Sequence, residues 1–199
     1  MPRRSNVEAA KTRAAIVDRA VHTASIEGLD GVTIGRLAGD LGMSKAGVIG
    51  HFGSKTDLQR EALHRAWAIF AGEVWEPARK RAGGLPRLLS ICDHWVGHLT
   101  NSPFPGGCFM CTVSTEWDAR EGELRDEVRE GWRLWQSTLR HEARRAIDQG
   151  ELPPEADADQ IAFDLMAIAM GLNQSIQLLQ DRRAPSRARQ AIRRVLHQA

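Results

Sequence analysis

Two groups of residues in this 199-residue chain have types and spacings that could do chemistry. The first lies in Thr33-Ile34-Gly35-Arg36-Leu37-Ala38-Gly39-Asp40-Leu41-Gly42-Met43-Ser44-Lys45-Ala46-Gly47-Val48. Thr33 stands at a helix start, where a hydroxyl and backbone N–H groups can hold a phosphate. Lys45 can reach a phosphate or a guanine edge. Ala46 and Gly47 are small enough to bring a helix close to a base-pair surface. Ser44 is either a helix cap or a phosphate contact. Lys55, after Gly53-Ser54, offers a cation beside the N–H groups of the next helix. His51 is either a backbone contact or a packing histidine beside Phe52. The second group is Cys108-Phe109-Met110-Cys111 with His94 and His98 upstream. Together these could ligate zinc or, as thiols, respond to oxidant. A lone C-x-x-C is common by chance, however, and zinc needs the two pairs joined across a proline-rich loop. No metal site and no cofactor is therefore expected.

The elements that position these residues are helices. Glycine and proline fall in punctuating clusters, and no long alternating strand pattern appears. A first helix is expected from about Glu8 to Glu27, with Ile16, Val17, Ala20, Val21 and Ala24 inward and Gly28 ending it. Thr33 caps a helix through Leu41, Gly42 breaks it with positive φ, and Ser44 caps a short helix. A long helix starts near Lys55. Val48, six residues beyond Gly42, can pack back onto Leu37, Ala38 and Leu41. That is the spacing of a helix-turn-helix, whose second helix enters the major groove. Pro86 marks another helix start. Breaks are expected at 103–107, at 150–154 and near Ala184-Pro185.

Composition narrows the function classes. Hydrophobic residues make up 42% and charged residues 26%, which is neither a disordered nor a membrane composition. No apolar run approaches the roughly 20 residues of a membrane-spanning helix. Arg3 and Arg4 make the N-terminus basic, without the apolar stretch of a signal peptide, so a cytoplasmic location is expected. Three cysteines, an odd number, argue against a disulfide framework. Net charge is +2. Residues 1–60 hold nine Lys/Arg against six Asp/Glu, an excess that a solvated surface explains as well as an anionic partner does. Arg3, Arg4, Lys11 and Arg13 could form a basic arm or simply a solvated tail. No nucleophile–base pair, phosphate loop or strong metal constellation appears, so the chain is not expected to be an enzyme.

Over residues 8 to 65 the chain resembles the TetR family of repressors. The resemblance is carried by Ile16, Ala20, Gly28, Thr33, Ile34, Ala38, Leu41, Gly42, Ser44, Lys45, His51-Phe52, Gly53-Ser54-Lys55 and Leu58. It implies an all-α protein with a three-helix DNA-binding domain at 1–54, a connecting helix at 55–80 and a ligand-binding and dimerisation domain at 81–199. It also implies a homodimer on a near-palindromic double-stranded operator, recognition helices about 34–36 Å apart, released by a small, largely apolar effector. DNA contacts are then expected from Thr33, Ser44, Lys45, Ala46, Gly47, His51 and Lys55. One departure matters: members commonly carry tyrosine at one or both positions held here by Ile49 and Gly50, and this chain has no tyrosine. A phenolic phosphate contact is missing, and glycine inside a helix costs up to about 1 kcal/mol relative to alanine.

The C-terminal part shows less. The stretch from Gln160 to Gln180 carries two apolar stripes. Ile161, Leu165, Ile168, Leu172, Ile176 and Leu179 have the rhythm of a helix packed on a helix, and the family pattern places such a stripe in a four-helix dimer interface. Two faces of one buried helix would give the same pattern. Phe163, Met166, Met170, Asn173 and Gln177 form the other stripe, which could line a cavity. A pocket is expected from Trp95, His98, Phe109, Trp117, Trp132, Met166, Met170 and Asn173, though core packing accounts for most of them equally well. Glu116, Asp118 and Glu121 read as a solvated helix end. A regulator triggered through Cys108 and Cys111 by oxidant or metal is the alternative.

Overall fold

A computed structural model describes the backbone of residues 2–198 and the side chains of residues 6–196. The described residues contain helices and no strand, and about three quarters of the chain is helical. The order is α1 (Pro2–Glu27), α2 (Ile34–Leu41), α3 (Lys45–Ile49), α4 (Lys55–Phe70), a π-helical turn (Ala71–Trp75), α5 (Glu76–Ala78), α6 (Leu85–Thr100), α7 (Phe109–Trp117), α8 (Glu123–Asp148), α9 (Ala158–Gln177) and α10 (Ala184–Gln198). No helix among the described residues is long and apolar enough to cross a membrane.

The chain folds into two compact units that interleave along the sequence. The first comprises residues 1–68 and 104–128, and the second 69–103 and 129–199. The stretch 104–128 was expected within an 81–199 domain; it packs instead with the N-terminal helices. Phe109 and Val113 of α7 are fully buried beside α1, whose Ile16, Ala20 and Ala24 are also inaccessible. An apolar helix face must find a partner, and α1 meets α7 as well as α2.

Local chemistry explains why the breaks fall where they do. α1 stops at Gly28, φ +74°, a backbone region costly for any side chain. α2 begins at Thr33, whose Oγ1 accepts from the Arg36 N–H at 3.3 Å. It ends in a Schellman motif: the Gly42 N–H donates to Gly39 O and the Met43 N–H to Ala38 O, with Gly42 at φ +63°. Ser44 Oγ accepts from the Gly47 N–H at 3.0 Å and starts α3. Ser54 and Asp57 cap α4 reciprocally: Ser54 Oγ accepts from the Asp57 N–H (3.0 Å) and donates to Asp57 Oδ2 (2.5 Å).

In the second unit, α9 packs against α6 and α10. Ile161, Leu165 and Leu172 are buried there within the single chain, whereas Phe163 is 60% exposed and Met170 41%. Each expected stripe is split: Ile161, Leu165 and Leu172 of the first are core while its Leu179 is 69% exposed, and Asn173 of the second is buried while Phe163 and Met170 face solvent. Periodicity fixes that α9 has two apolar faces; only the positions of α6 and α10 decide which one is inside.

Candidate nucleic-acid interface

The site is built on α2 and α3. Leu37, Ala38 and Val48 are buried and lock the two helices at their turn. That leaves Ser44, Lys45 and Ala46 exposed on the outer side of α3, with Gly47 half-buried. A Cβ at Gly47 would lie 3.2 Å from Ser44 Oγ, crowding the cap. Ser44 is therefore a cap; its oxygen takes the Gly47 N–H, which leaves the hydroxyl proton able to donate outward. Thr33 is placed the same way at the start of α2. Lys55 is exposed at the start of α4, its Nζ 3.4 Å from Asp30 O. His51 is half-buried, its ring 6.3 Å from that of the buried Phe52.

Two expectations change. Gly50 lies just past the end of α3 as its cap, at φ −61°, so the cost of a glycine inside a helix does not arise. Arg13 is not part of a free basic arm. Its Nη1 pairs with Glu61 Oε2 at 2.8 Å and its guanidinium sits 4.8 Å above the Phe52 ring. The hydrogen bond from Arg13 holds the Glu61 carboxyl below its usual range. Lys11 is exposed, and the side chains of Arg3 and Arg4 lie outside the described residues.

The acidic group on α7 also departs from expectation. Glu116 is not solvated: its side chain is only 12% exposed, and its carboxylate accepts the N–H groups of Leu29 (2.6 Å) and Asp30 (2.9 Å). Gln59 Nε2, buried, donates to Leu29 O at 2.6 Å. Neither partner was visible in the sequence, because the contacts to Glu116 span 86 and 87 residues.

Comparison with known proteins decides what this arrangement is. Residues 16–62 match the profile of bacterial regulatory proteins of the tetR family, and residues 84–192 match the tetracyclin repressor-like C-terminal domain. The second match alone spans more than half the chain. The chain belongs to the TetR family of transcription regulators. It is a DNA-binding regulator, not an enzyme. Similar solved structures include a TetR regulator from Chloroflexus aurantiacus J-10-FL, with 24% identity, 93% of both chains covered and a TM-score of 0.81. A transcriptional regulator from Saccharomonospora viridis in complex with choline matches at 24% identity, covering 92% of this chain and 94% of its own, with a TM-score of 0.73. AibR in complex with isovaleryl coenzyme A and operator DNA matches at 18%, covering 90% and 95%, with a TM-score of 0.74. No curated protein matches the chain.

The residues expected at the effector pocket of this TetR-family chain divide between the two units. Phe109 and Trp117 belong to the first, where the Arg120 guanidinium lies 5.1 Å from the Trp117 ring. Trp95, His98, Trp132, Met166, Met170 and Asn173 belong to the second. There the structure gathers Trp95 and His98 with Trp135, one of the tryptophans whose abundance beyond residue 70 suits an apolar pocket, and with Phe70, which the sequence did not single out. Phe70 lies edge-on to Trp135 at 4.8 Å and to His98 at 5.4 Å, and Trp95 to Trp135 at 5.4 Å. His98 Nδ1–H donates to Glu73 Oε2 at 2.6 Å, and Glu73 sits on the π-helical turn. π turns recur at functional positions. A small apolar cavity of about 10 Å³ lies in the same unit, walled by Cys92, Trp95 and Leu99 of α6 together with Leu165, Ile168 and Leu172 of α9.

Cys108 and Cys111 are both buried and bonded to each other; that hydrogen bond, then burial, pushes the Cys111 thiol well up. The histidines engage elsewhere, His94 Nδ1 with Ser90 O at 2.7 Å and His98 with Glu73. No group of three or more His, Cys, Asp or Glu among the described residues could hold a metal ion.

Proposed function

We propose that this chain is a dimeric repressor that holds a near-palindromic operator and leaves it when a small, largely apolar molecule binds. The observation that carries the DNA half is the outer side of α3: Lys45 and Ala46 exposed on a short, doubly capped helix whose inner residue, Val48, is fully buried. A rigid helix presenting a cation and small side chains suits entry into a major groove. Thr33, Ser44 and Lys55 supply hydroxyl and ammonium donors for flanking phosphates, and His51 a further backbone contact.

The effector half is supported by the apolar lining around the small cavity beside Trp95 and by buried His98, held by the half-exposed Glu73, which can orient a polar group. Relatives of the same fold hold isovaleryl coenzyme A or choline. Release follows from population shift: a ligand that prefers one form of the protein weakens operator binding by that difference in binding energy. A regulator of this kind works beside the chromosome, in the cytoplasm. A thiol trigger gains nothing from the geometry, because the thiolate is the reactive species and Cys111 is held as the thiol.

The test is fluorescence-anisotropy binding to the DNA upstream of the protein's own gene at two salt concentrations, with Lys45→Ala alongside. The expected result is saturable binding that competitor DNA does not remove. Lys45→Ala should weaken it by one to two orders of magnitude, taking about 1–3 kcal/mol for a specific contact. Weak binding that is indifferent to sequence at every site tested would end the repressor reading.

A further inference from the structure

We propose that Glu116 is a positioning residue for operator binding, and that α7 is a working part of the DNA-binding head. This rests on the operator-binding reading above and adds to it a residue that touches no DNA. The Glu116 carboxylate takes two adjacent backbone N–H groups, those of Leu29 and Asp30, in the turn between α1 and α2. That turn sets where α2 starts, and α2 carries α3.

Several independent contacts converge on this turn and on the end of α1 that leads into it. A Cβ placed on Gly28 would collide with the Glu116 carboxylate, so Gly28 gives the turn its φ of +74° and also makes room for the acid. Arg120, one turn further along, pairs with Asp30 at 2.5 Å and stands 3.5 Å from Glu116. Thr112 Oγ1 donates to Ser25 O at 3.3 Å, and a Cβ on Gly106 would collide with that same carbonyl. Gln59 of α4 holds Leu29 O from the other side.

Electrostatics make the placement specific. The C-terminal end of a helix carries partial negative charge, so a carboxylate beside the end of α1 is disfavoured unless donors offset it. Here two N–H groups and the Arg120 guanidinium do so. Without Glu116, Leu29 N–H and Asp30 N–H lose its carboxylate as acceptor and the turn loses this tether to α7. The Leu29 N–H, part-buried, would be left without a partner at a cost above the worth of the bond itself, so the turn would move to regain water; the exposed Asp30 N–H would turn to solvent. α2 and α3 would then meet the groove at a changed angle.

The experiment compares full-length wild type with Glu116→Gln and Glu116→Ala, reading operator affinity by anisotropy and amide hydrogen exchange at Leu29 and Asp30. Gln keeps the shape but offers one acceptor oxygen instead of two. Both variants are measured where circular dichroism shows native helix content; Thr112→Val, which removes the hydroxyl shared between Ser25 O and Cys108 O and so the tie of α7 to α1, serves where either fails to fold. The expected result is exchange at the two amides faster by at least roughly tenfold and operator affinity lower by roughly tenfold, the size of one charge-assisted hydrogen bond. The salt dependence of binding should stay unchanged, because no phosphate contact is removed. Gly28→Ala should weaken binding less in the Glu116→Ala background than in wild type. Affinity within twofold of wild type despite lost amide protection would reduce Glu116 to a packing role and overturn the proposal; protected amides in both variants would overturn it as well. If wild type itself binds no operator, the repressor reading fails instead, and the amide data identify which has failed.

Discussion

Cys92 shows how far burial alone can change a side chain. It lines the void between α6 and α9, and it is 3% exposed. Loss of hydration, with Asp93 next to it, pushes its pKa from 9.0 up to about 12. The folded protein therefore keeps this proton where the unfolded chain loses it. Stability from this source is complete below about pH 9 and is lost progressively as pH rises from about 9 toward 12. We expect thermal melts to fall along that limb and the slope to flatten in Cys92→Ala, with iodoacetamide failing to label Cys92 in the native state. Rapid labelling at pH 8 would contradict the burial. Glu61 works in the opposite sense: held low by Arg13, it contributes above its unfolded pKa and the contribution fades in acid. Both groups of that pair are more than a third exposed, so solvent screens most of the effect.

Among the elements, α8 is held to the start of α6 by a buried acid. Glu142 is 1% exposed; Oε1 accepts from Arg87 Nη1 at 2.9 Å and Oε2 from the Gly84 N–H at 2.8 Å. Removing one partner of a buried pair leaves the other without its counter-charge. Glu142→Ala should cost about 3 kcal/mol in urea denaturation, at the low end for such pairs because Arg87 also reaches Arg79 O and Arg81 O. Glu142→Gln should cost less than half of that. This contact was not legible in the sequence, whereas α2, α3 and the start of α4 were. The difference is range. Thr33, Gly42, Ser44 and Ser54 act on backbone groups one to four residues away, so their types and spacing suffice. Glu142 and Glu116 act across 55 residues or more. α9 lies between these cases: its two apolar stripes were legible, but its inward face was not, because both stripes carry large apolar side chains.

At the scale of the whole molecule, the outward stripe of α9 is the surface that remains for a second copy. Phe163 and Met170 lie two turns apart on it, and Leu178 and Leu179 follow, 75% and 69% exposed. Large apolar side chains clustered at a surface mark an association site. The proposed dimer then uses this face and not Ile161, Leu165 and Leu172. Phe163→Asp should shift the mass in sedimentation from dimer to monomer at micromolar concentration with helix content unchanged, whereas Leu165→Asp should unfold the second unit. A wild-type monomer under the same conditions would remove the dimer from the proposal.

The burial of Phe109 and Val113 against α1 has a consequence for how such a chain can be recombined. A head excised at the end of α5 would lack α7, which packs on α1, and with it one wall of its own interior. Exchange of sensing modules between relatives, by splicing or by descent, cannot then proceed through a single crossover after α4. The segment 104–128 has to travel with the N-terminal helices, so a functional chimera needs at least three junctions, and the lineage of that short segment should track the operator more closely than the effector.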